Sequence, residues 1–313
     1  MKKLFAMAAT MMLAVTLVAC GSTTTEEPQT TETRVVEDVK GSVEIPVDPQ
    51  RIVDLSGASD TLSLLGFDVV GTANSDGYDY TKLPTYLEDE LAGAEILGYS
   101  YQDTMDVEAV FALEPDLIII STVQEKMYEQ LSAVAPTIMI ELSQMDWRAD
   151  LMNVATTMDR VSEAEAWLAE YDAKAATVSE AIKAENGAET TYLSFLASGG
   201  SIFVFDGAGL GSVLYQDLGL AKPVGMPEQV DVSLPVVSYE GLAAIEADEI
   251  LAIGTDEDMV ELLGNPIWQN MPAVKAGNVV ELPASPYFNI GYSPIGRLDF
   301  INEIESLLAG NNE

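Results

Sequence analysis

The chain has 313 residues, 48% hydrophobic and 21% charged, enough to bury one large core or two ordinary ones. Its 51 acids against 14 Lys and Arg leave a formal charge of −37, which excludes nucleic acid as a partner and obliges any strongly anionic ligand to find a local cationic patch. Histidine is absent, which removes imidazole general bases, Ser-His-Asp triads and His-bound zinc or haem.

Lys2 and Lys3 precede an apolar run from Leu4 to Val18 that ends in Leu17-Val18-Ala19-Cys20. That order predicts a secretory signal over residues 1–19, too short for a membrane span. Cys20 is the only cysteine and stands where a bacterial lipobox has its lipidated cysteine, which the segment resembles. Residues 20–34, rich in Thr, Glu, Gln and Pro, suit a flexible tether. An extracytoplasmic chain held to the cell membrane through Cys20 is the expectation. The large acidic excess then serves solubility at that surface.

From residue 35 to 146, short apolar runs bounded by turns alternate with helical patterns, beginning with Ile52-Val53-Asp54-Leu55 and a helix from Ser59 to Leu65. Leu117-Ile118-Ile119-Ile120 and, later, Ile250-Leu251-Ala252-Ile253 are continuous apolar runs, as in strands covered on both faces of a parallel sheet. Between Trp147 and Ala184 the spacing of Leu151, Val154, Ala155, Met158, Val161, Leu168, Tyr171, Ala175, Val178 and Ile182 predicts one amphipathic helix. At 1.5 Å per residue it extends roughly 50 Å, long enough to bridge two lobes. Asn186-Gly187 is its stop signal. This divides the folded part into an N-terminal lobe (35–146), an inter-lobe helix (147–185) and a C-terminal lobe (186–313).

The chain also echoes itself. Glu108-Ala109-Val110-Phe111-Ala112-Leu113-Glu114-Pro115-Asp116 and Glu240-Gly241-Leu242-Ala243-Ala244-Ile245-Glu246-Ala247-Asp248 share one pattern at an offset of 240 − 108 = 132, each followed by a buried strand. Two lobes of related architecture explain the repeat; a generic helix-to-strand unit is the alternative.

These units resemble the solute-binding family that serves siderophore, haem and cobalamin ABC importers. Further carriers of the resemblance are Arg51 to Ser56 with Leu64-Leu65-Gly66, Val213 to Leu220, and Trp268 to Val279, in that order. The resemblance covers about residues 35 to 310 and implies an α/β fold of two Rossmann-like lobes, each with a mostly parallel sheet, joined by one long rigid helix. It also implies a binding protein, not an enzyme, acting as a monomer that captures a ferric siderophore and hands it to an ABC transporter permease. Cobalamin or haem capture by the same fold is the alternative, and an envelope hydrolase with paired carboxylates a more distant one. The resemblance assigns permease docking to Glu108 and Glu240; a plainer role for both is to complement a helix macrodipole.

Ligands of open α/β sheets sit beyond the carboxyl ends of the strands. The loops there nominate Ser56 with Gly57 and Ala58, Tyr78 and Tyr80, Tyr99 and Tyr101, Ser121 and Gln124, Phe205, and Tyr287, Phe288 and Tyr292. Tyrosine pairs a flat apolar face with a hydroxyl, which suits a bulky chelate with carbonyl oxygens on its outside. Arg148 and Arg297 are the arginines best placed for a cleft. Relatives in this family often carry arginine where Leu210 stands, which weakens the case for an anionic catecholate or citrate chelate and strengthens that for a neutral hydroxamate. Gly207-Ala208-Gly209-Leu210-Gly211-Ser212 is a weak phosphate-cradle signal. The acidic runs Glu88-Asp89-Glu90 and Asp256-Glu257-Asp258 lack the alternating ligands of a calcium loop, and no cofactor or metal is expected beyond the transported chelate.

Overall fold

The computed structural model describes residues 32–309. The expected signal over 1–19, Cys20 and most of the tether lie outside the described residues. The tether ends sooner than expected, because β1 (Thr33–Asp38) and β2 (Gly41–Pro46) already form an antiparallel hairpin. Arg34 is ordered in it and donates to the Thr157 carbonyl at 2.6 Å.

The N-terminal lobe follows with β3 (Ile52–Asp54), α1 (Ser59–Leu64), β4 (Val69–Thr72), β5 (Glu95–Ile96), α2 (Val107–Ala112), β6 (Leu117–Ser121), α3 (Tyr128–Leu131) and β7 (Thr137–Ile140). Its sheet is wholly parallel with order β5-β4-β3-β6-β7. Every residue of β6 is buried, as its continuous apolar run requires of a central strand. The order reverses direction between β3 and β6, so the loops after those strands diverge to open a crevice.

Two helices then replace the single one that the apolar spacing predicts. α4 (Trp147–Thr157) ends and α5 (Val161–Asn186) begins across Met158, Asp159 and Arg160. Asp159 takes the left-handed conformation with φ 57°, and the Arg160 N–H closes back onto the Ala155 carbonyl at 2.8 Å, the six-to-one bond of a Schellman stop. The apolar spacing persists through the break because both helices press on the same core. α5 alone, about 39 Å long at 1.5 Å per residue, is the strut between the lobes. Its buried stripe of Tyr171, Ala175, Val178 and Ile182 follows the helical repeat.

The C-terminal lobe contains β8 (Tyr192–Ser198), β9 (Ser201–Phe205), α6 (Gly209–Ser212) with a π-helical turn at Val213–Asp217, β10 (Val236–Val237), α7 (Tyr239–Ala243), β11 (Glu249–Gly254), α8 (Asp256–Gly264), α9 (Pro266–Asn270), α10 (Pro272–Ala276) and β12 (Val279–Pro283). Its sheet runs β10-β9-β8-β11-β12, with β8, β11 and β12 parallel and the hairpin partners antiparallel. The two lobes therefore share one strand order, and the 132-residue echo falls on equivalent elements: α2 before β6 and α7 before β11. Side-chain caps define both helix starts. Asp106 accepts from the Glu108 and Ala109 N–H groups, and Ser238 accepts from that of Gly241, so Glu108 and Glu240 each stand second after the cap.

The chain finishes by returning. α11 (Ala284–Ile290) and α12 (Pro294–Ala309) follow β12, and α12 packs on α5, on α1 and on the turn at Thr85–Leu87 of the N-terminal lobe. Residues past 283 thus serve both lobes. The central core is correspondingly continuous, running from Ile52 and Leu62 through Trp147, Tyr171 and Phe300 to Phe205 and Ile253.

Inside that core lies an ionic knot. Asp217, on the π-helical turn, is 1% exposed at its side chain. It accepts from Arg297 of α12 and from the Tyr171 hydroxyl of α5, both at 2.6 Å, and from Arg148 of α4 at 3.3 Å. Arg297 also donates to Ser212, and both guanidinium groups lie over the Trp147 ring, at 4.8 Å and 4.5 Å. Asp217→Ala leaves Arg297 buried without its counter-charge, and loss of one partner of a buried pair costs about 3–5 kcal/mol. Guanidinium-chloride unfolding should show that fall in stability, and a variant within 1 kcal/mol of wild type contradicts the role given to the knot.

Candidate functional site

The crevice between the lobes forms a cavity of about 450 Å³, a size usual for small-molecule sites. The N-terminal lobe lines it from the carboxyl ends of its strands, with Gly57 and Ala58 after β3, Asn74 and Ser75 after β4, Tyr99 to Tyr101 after β5, and Leu142 and Gln144 after β7. The first loop is held by its own hydrogen bonds. Asp54, fully buried, accepts from the Ser56 N–H and hydroxyl and from the Ser59 hydroxyl at 2.7 Å, and Asn74 binds both the Ser59 N–H and the Gly57 carbonyl. Gly57 has φ 95°, and a Cβ there would meet the Ser100 hydroxyl at 2.9 Å, so side chain and conformation both require glycine.

Aromatic rings dominate the walls. Tyr80 stacks on Tyr99 at 4.9 Å with planes 6° apart, and Tyr101 follows at 5.3 Å. Tyr101 donates to Gln144. From the other side come Phe288 and Tyr292, with Val232 and Leu234. Burial pushes the Tyr101 hydroxyl up to about 12, with Tyr99 adding to the effect, and burial also raises Tyr99. These hydroxyls are therefore neutral donors at ordinary pH.

The lobes also touch across the mouth. Asn289 accepts from the Gly77 N–H at 3.2 Å and donates to the Tyr99 hydroxyl at 3.3 Å, while Ser285 donates to Asp76. Tyr78 meets Phe288 edge-on at 5.8 Å. Asn289 gives no sequence signal beyond its place in an aromatic-rich segment.

The charge of the lining is one-sided. No lysine or arginine lines the cavity among the described residues, whereas Asp60, on the first turn of α1, and Asp150 of α4 do. Asp60 is 2% exposed; burial raises its pKa to about 6, opposed by a hydrogen bond from the Ser293 hydroxyl. Asp150 accepts from the Ser143 and Gln144 N–H groups at 2.8 and 2.7 Å, and burial raises it too. Neither carboxylate was nominated by the pattern of the chain, although Asp60 sits where polar residues should be, just after the strand at the sheet's switch point.

Of the nominated residues, Gly57, Ala58, Tyr80, Tyr99, Tyr101, Phe288 and Tyr292 line this cavity, with Tyr78 beside it. The others sit elsewhere. Ser56 is turned onto Asp54. Gln124 is fully buried, closing a capping box with Ser121 and donating to the carbonyls of Ser100 and Gln102, so it braces the Tyr99–Tyr101 loop from behind. Phe205 is buried under the cradle glycines, where a Cβ on Gly209 would come within 2.6 Å of its ring. That packing contact accounts for the glycines without a phosphate. Tyr287 packs edge-on against Phe300. Arg148 and Arg297 are engaged by Asp172 and Asp217. Long-range ion pairs of this kind leave no mark in local sequence.

Comparison with known proteins agrees with this architecture. Over 96% of this chain and 97% of its own length, the iron(3+)-hydroxamate-binding protein FhuD of Bacillus subtilis is 32% identical. The probable siderophore-binding lipoprotein YfiY of the same organism is 28% identical over 90% of this chain and 91% of its own. Among solved structures, a FhuD fold-family periplasmic binding protein component of a Fep/Fec-like ferrichrome ABC transporter from Bacillus subtilis superposes with a TM-score of 0.73 at 28% identity, covering 87% of this chain and 99% of that one. The periplasmic binding protein family matches residues 56–286. With that match across most of the chain and a relative of this similarity along its whole length, the chain belongs to the periplasmic binding protein family.

Proposed function

We propose that the protein is the extracytoplasmic binding component of an ABC importer, and that it captures a ferric hydroxamate siderophore in the inter-lobe cavity. The observation that carries this reading is the lining itself: stacked tyrosines and Phe288 with no lysine or arginine among the described residues. A trihydroxamate neutralises ferric iron within its own shell, so its exterior is apolar with carbonyl oxygens, matching aromatic faces and phenolic donors. An anionic catecholate or citrate chelate would face Asp60 and Asp150 with no compensating cation. The names of the similar proteins, a hydroxamate-binding FhuD and a siderophore-binding lipoprotein, support the same ligand class.

Delivery then needs the permease. Glu108 and Glu240, equivalent in the two lobes and both exposed, are the proposed docking carboxylates, each pairing with an arginine cluster on the membrane partner. The protein works as a monomer, held to the membrane by lipid on Cys20. No bond is made or broken.

Titration with a ferric trihydroxamate should quench intrinsic fluorescence, and Tyr99→Ala should weaken binding about tenfold through loss of stacking with Tyr80. Absence of quenching with ferric hydroxamate, while haem or cobalamin binds with its own visible spectrum, overturns the ligand assignment in favour of those chelates. Charge reversal at Glu108 together with Glu240 should abolish cellular uptake of the radiolabelled chelate with its solution affinity retained; undiminished uptake sinks the docking role.

A further inference from the structure

Three buried aspartates of the N-terminal lobe lie near the crevice, and only one of them faces it. Asp54 is occupied by two serine hydroxyls beneath the loop, and Asp76 is held by Ser285 and by the Tyr78 and Asp79 N–H groups. Asp60 lines the cavity while 98% of its surface is hidden, and no cation pairs with it among the described residues. The other buried carboxylates with a formal counter-charge, Asp217 and Asp206, have their arginines or lysine beside them. A second buried group lines the same cavity without a partner: Ser75 is 3% exposed, and its hydroxyl has no hydrogen-bond partner among the described residues. A carboxylate and an unused hydroxyl oxygen in an aromatic cavity form the acceptor set of an ammonium site, because tyrosine faces attract cations and carboxylates accept their N–H bonds.

We infer, resting on the ferric-hydroxamate reading, that the cavity prefers chelates bearing a positive charge and that Asp60 accepts a ligand ammonium group. The rings that hold the chelate shell also shield the ion pair from water, where it is worth more than at a surface. The net charge of −37 favours arrival of such a ligand over a neutral one.

Protonation gives the inference its own signature. The groups facing Asp60 are Asp54 from β3, Tyr86 from the turn at Thr85–Leu87 and Ser293 ahead of α12. Burial raises Asp54 and keeps the Tyr86 phenol well above its ordinary value, and as acids neither can supply a positive charge. With Asp60 titrating at about 6, its charge is present at pH 7.5 and is progressively lost below pH 6.

The test uses a linear ferric trihydroxamate ending in a primary amine and the same chelate with that amine acetylated, titrated into the full-length protein by fluorescence quenching. At pH 7.5 the amine form should bind at least about tenfold tighter than the acetylated form. That ratio should fall toward one at pH 5 in the wild type, and toward one at pH 7.5 in Asp60→Asn; if that variant does not fold, the same fall with pH in Asp150→Asn separates Asp60 from the other carboxylate of the cavity. Equal affinities for the two forms, or a ratio unchanged by pH and by Asp60→Asn, overturn the inference and leave the hydroxamate reading intact. Failure of both forms to bind overturns that reading, and the inference with it.

Discussion

Everything in the molecule's geometry leans on the carboxylate of Asp217. One oxygen pair gathers α4 through Arg148, α5 through Tyr171 and α12 through Arg297, while its own backbone belongs to the π-helical turn of the C-terminal lobe. Burying so many charges is costly, and they persist because each finds its partner beside an aromatic cluster in which Trp167 stacks on Tyr171 and Trp147 meets both edge-on. The knot fixes how the strut, the preceding helix and the returning helix cross, and therefore the width of the crevice they border. It also engages two arginines, Arg297 buried and Arg148 still partly exposed, and so keeps both from a ligand. The neutral-to-acidic character of the cavity is the other face of this structural use of cations, in a chain with few of them.

Much of the architecture was legible beforehand. Leu117–Ile120 and Ile250–Ile253 are unbroken apolar runs, and both became central parallel strands. The echo at Glu108 and Glu240 marked equivalent helices of two lobes sharing one strand order, because a cap, an acid and an apolar stripe are local features that sequence records directly. The strut was legible in kind but not in extent. Asp159 in the left-handed conformation ends α4, yet the apolar period on either side points at the same core and so conceals the stop. Aspartate tolerates that conformation better than most residues, which leaves only a faint signal where glycine would leave a strong one.

The site was read less completely, and the reasons are physical. Loops after parallel strands border the crevice, so the tyrosines after β4 and β5 and the Phe288–Tyr292 segment are legible as part of its lining. Whether a loop residue points inward depends on contacts made far along the chain. Arg148 was drawn from the crevice by Asp172 and Asp217, residues 24 and 69 positions away. Gln124 was a different kind of miss, since Ser121-Thr122-Val123-Gln124 is a capping box visible in sequence, and a glutamine spent on a cap is not free for a ligand. Asp60 carries no sequence signal beyond that of an acid at a helix start, and only burial distinguishes it.

The homeward path of α12 onto α1 and the turn at Thr85–Leu87 has a bearing on biogenesis. Phe288, Tyr292 and Ser293 reach the crevice from the segment that leads into this helix, and that segment also meets the Thr85–Leu87 turn made near the beginning of the chain. A ribosome releasing the polypeptide in order thus completes both sheets before it completes the pocket. The capacity to hold a ligand waits on the segment that follows β12, and a product stopped at the end of that strand lacks one wall of the crevice however well its strands have paired.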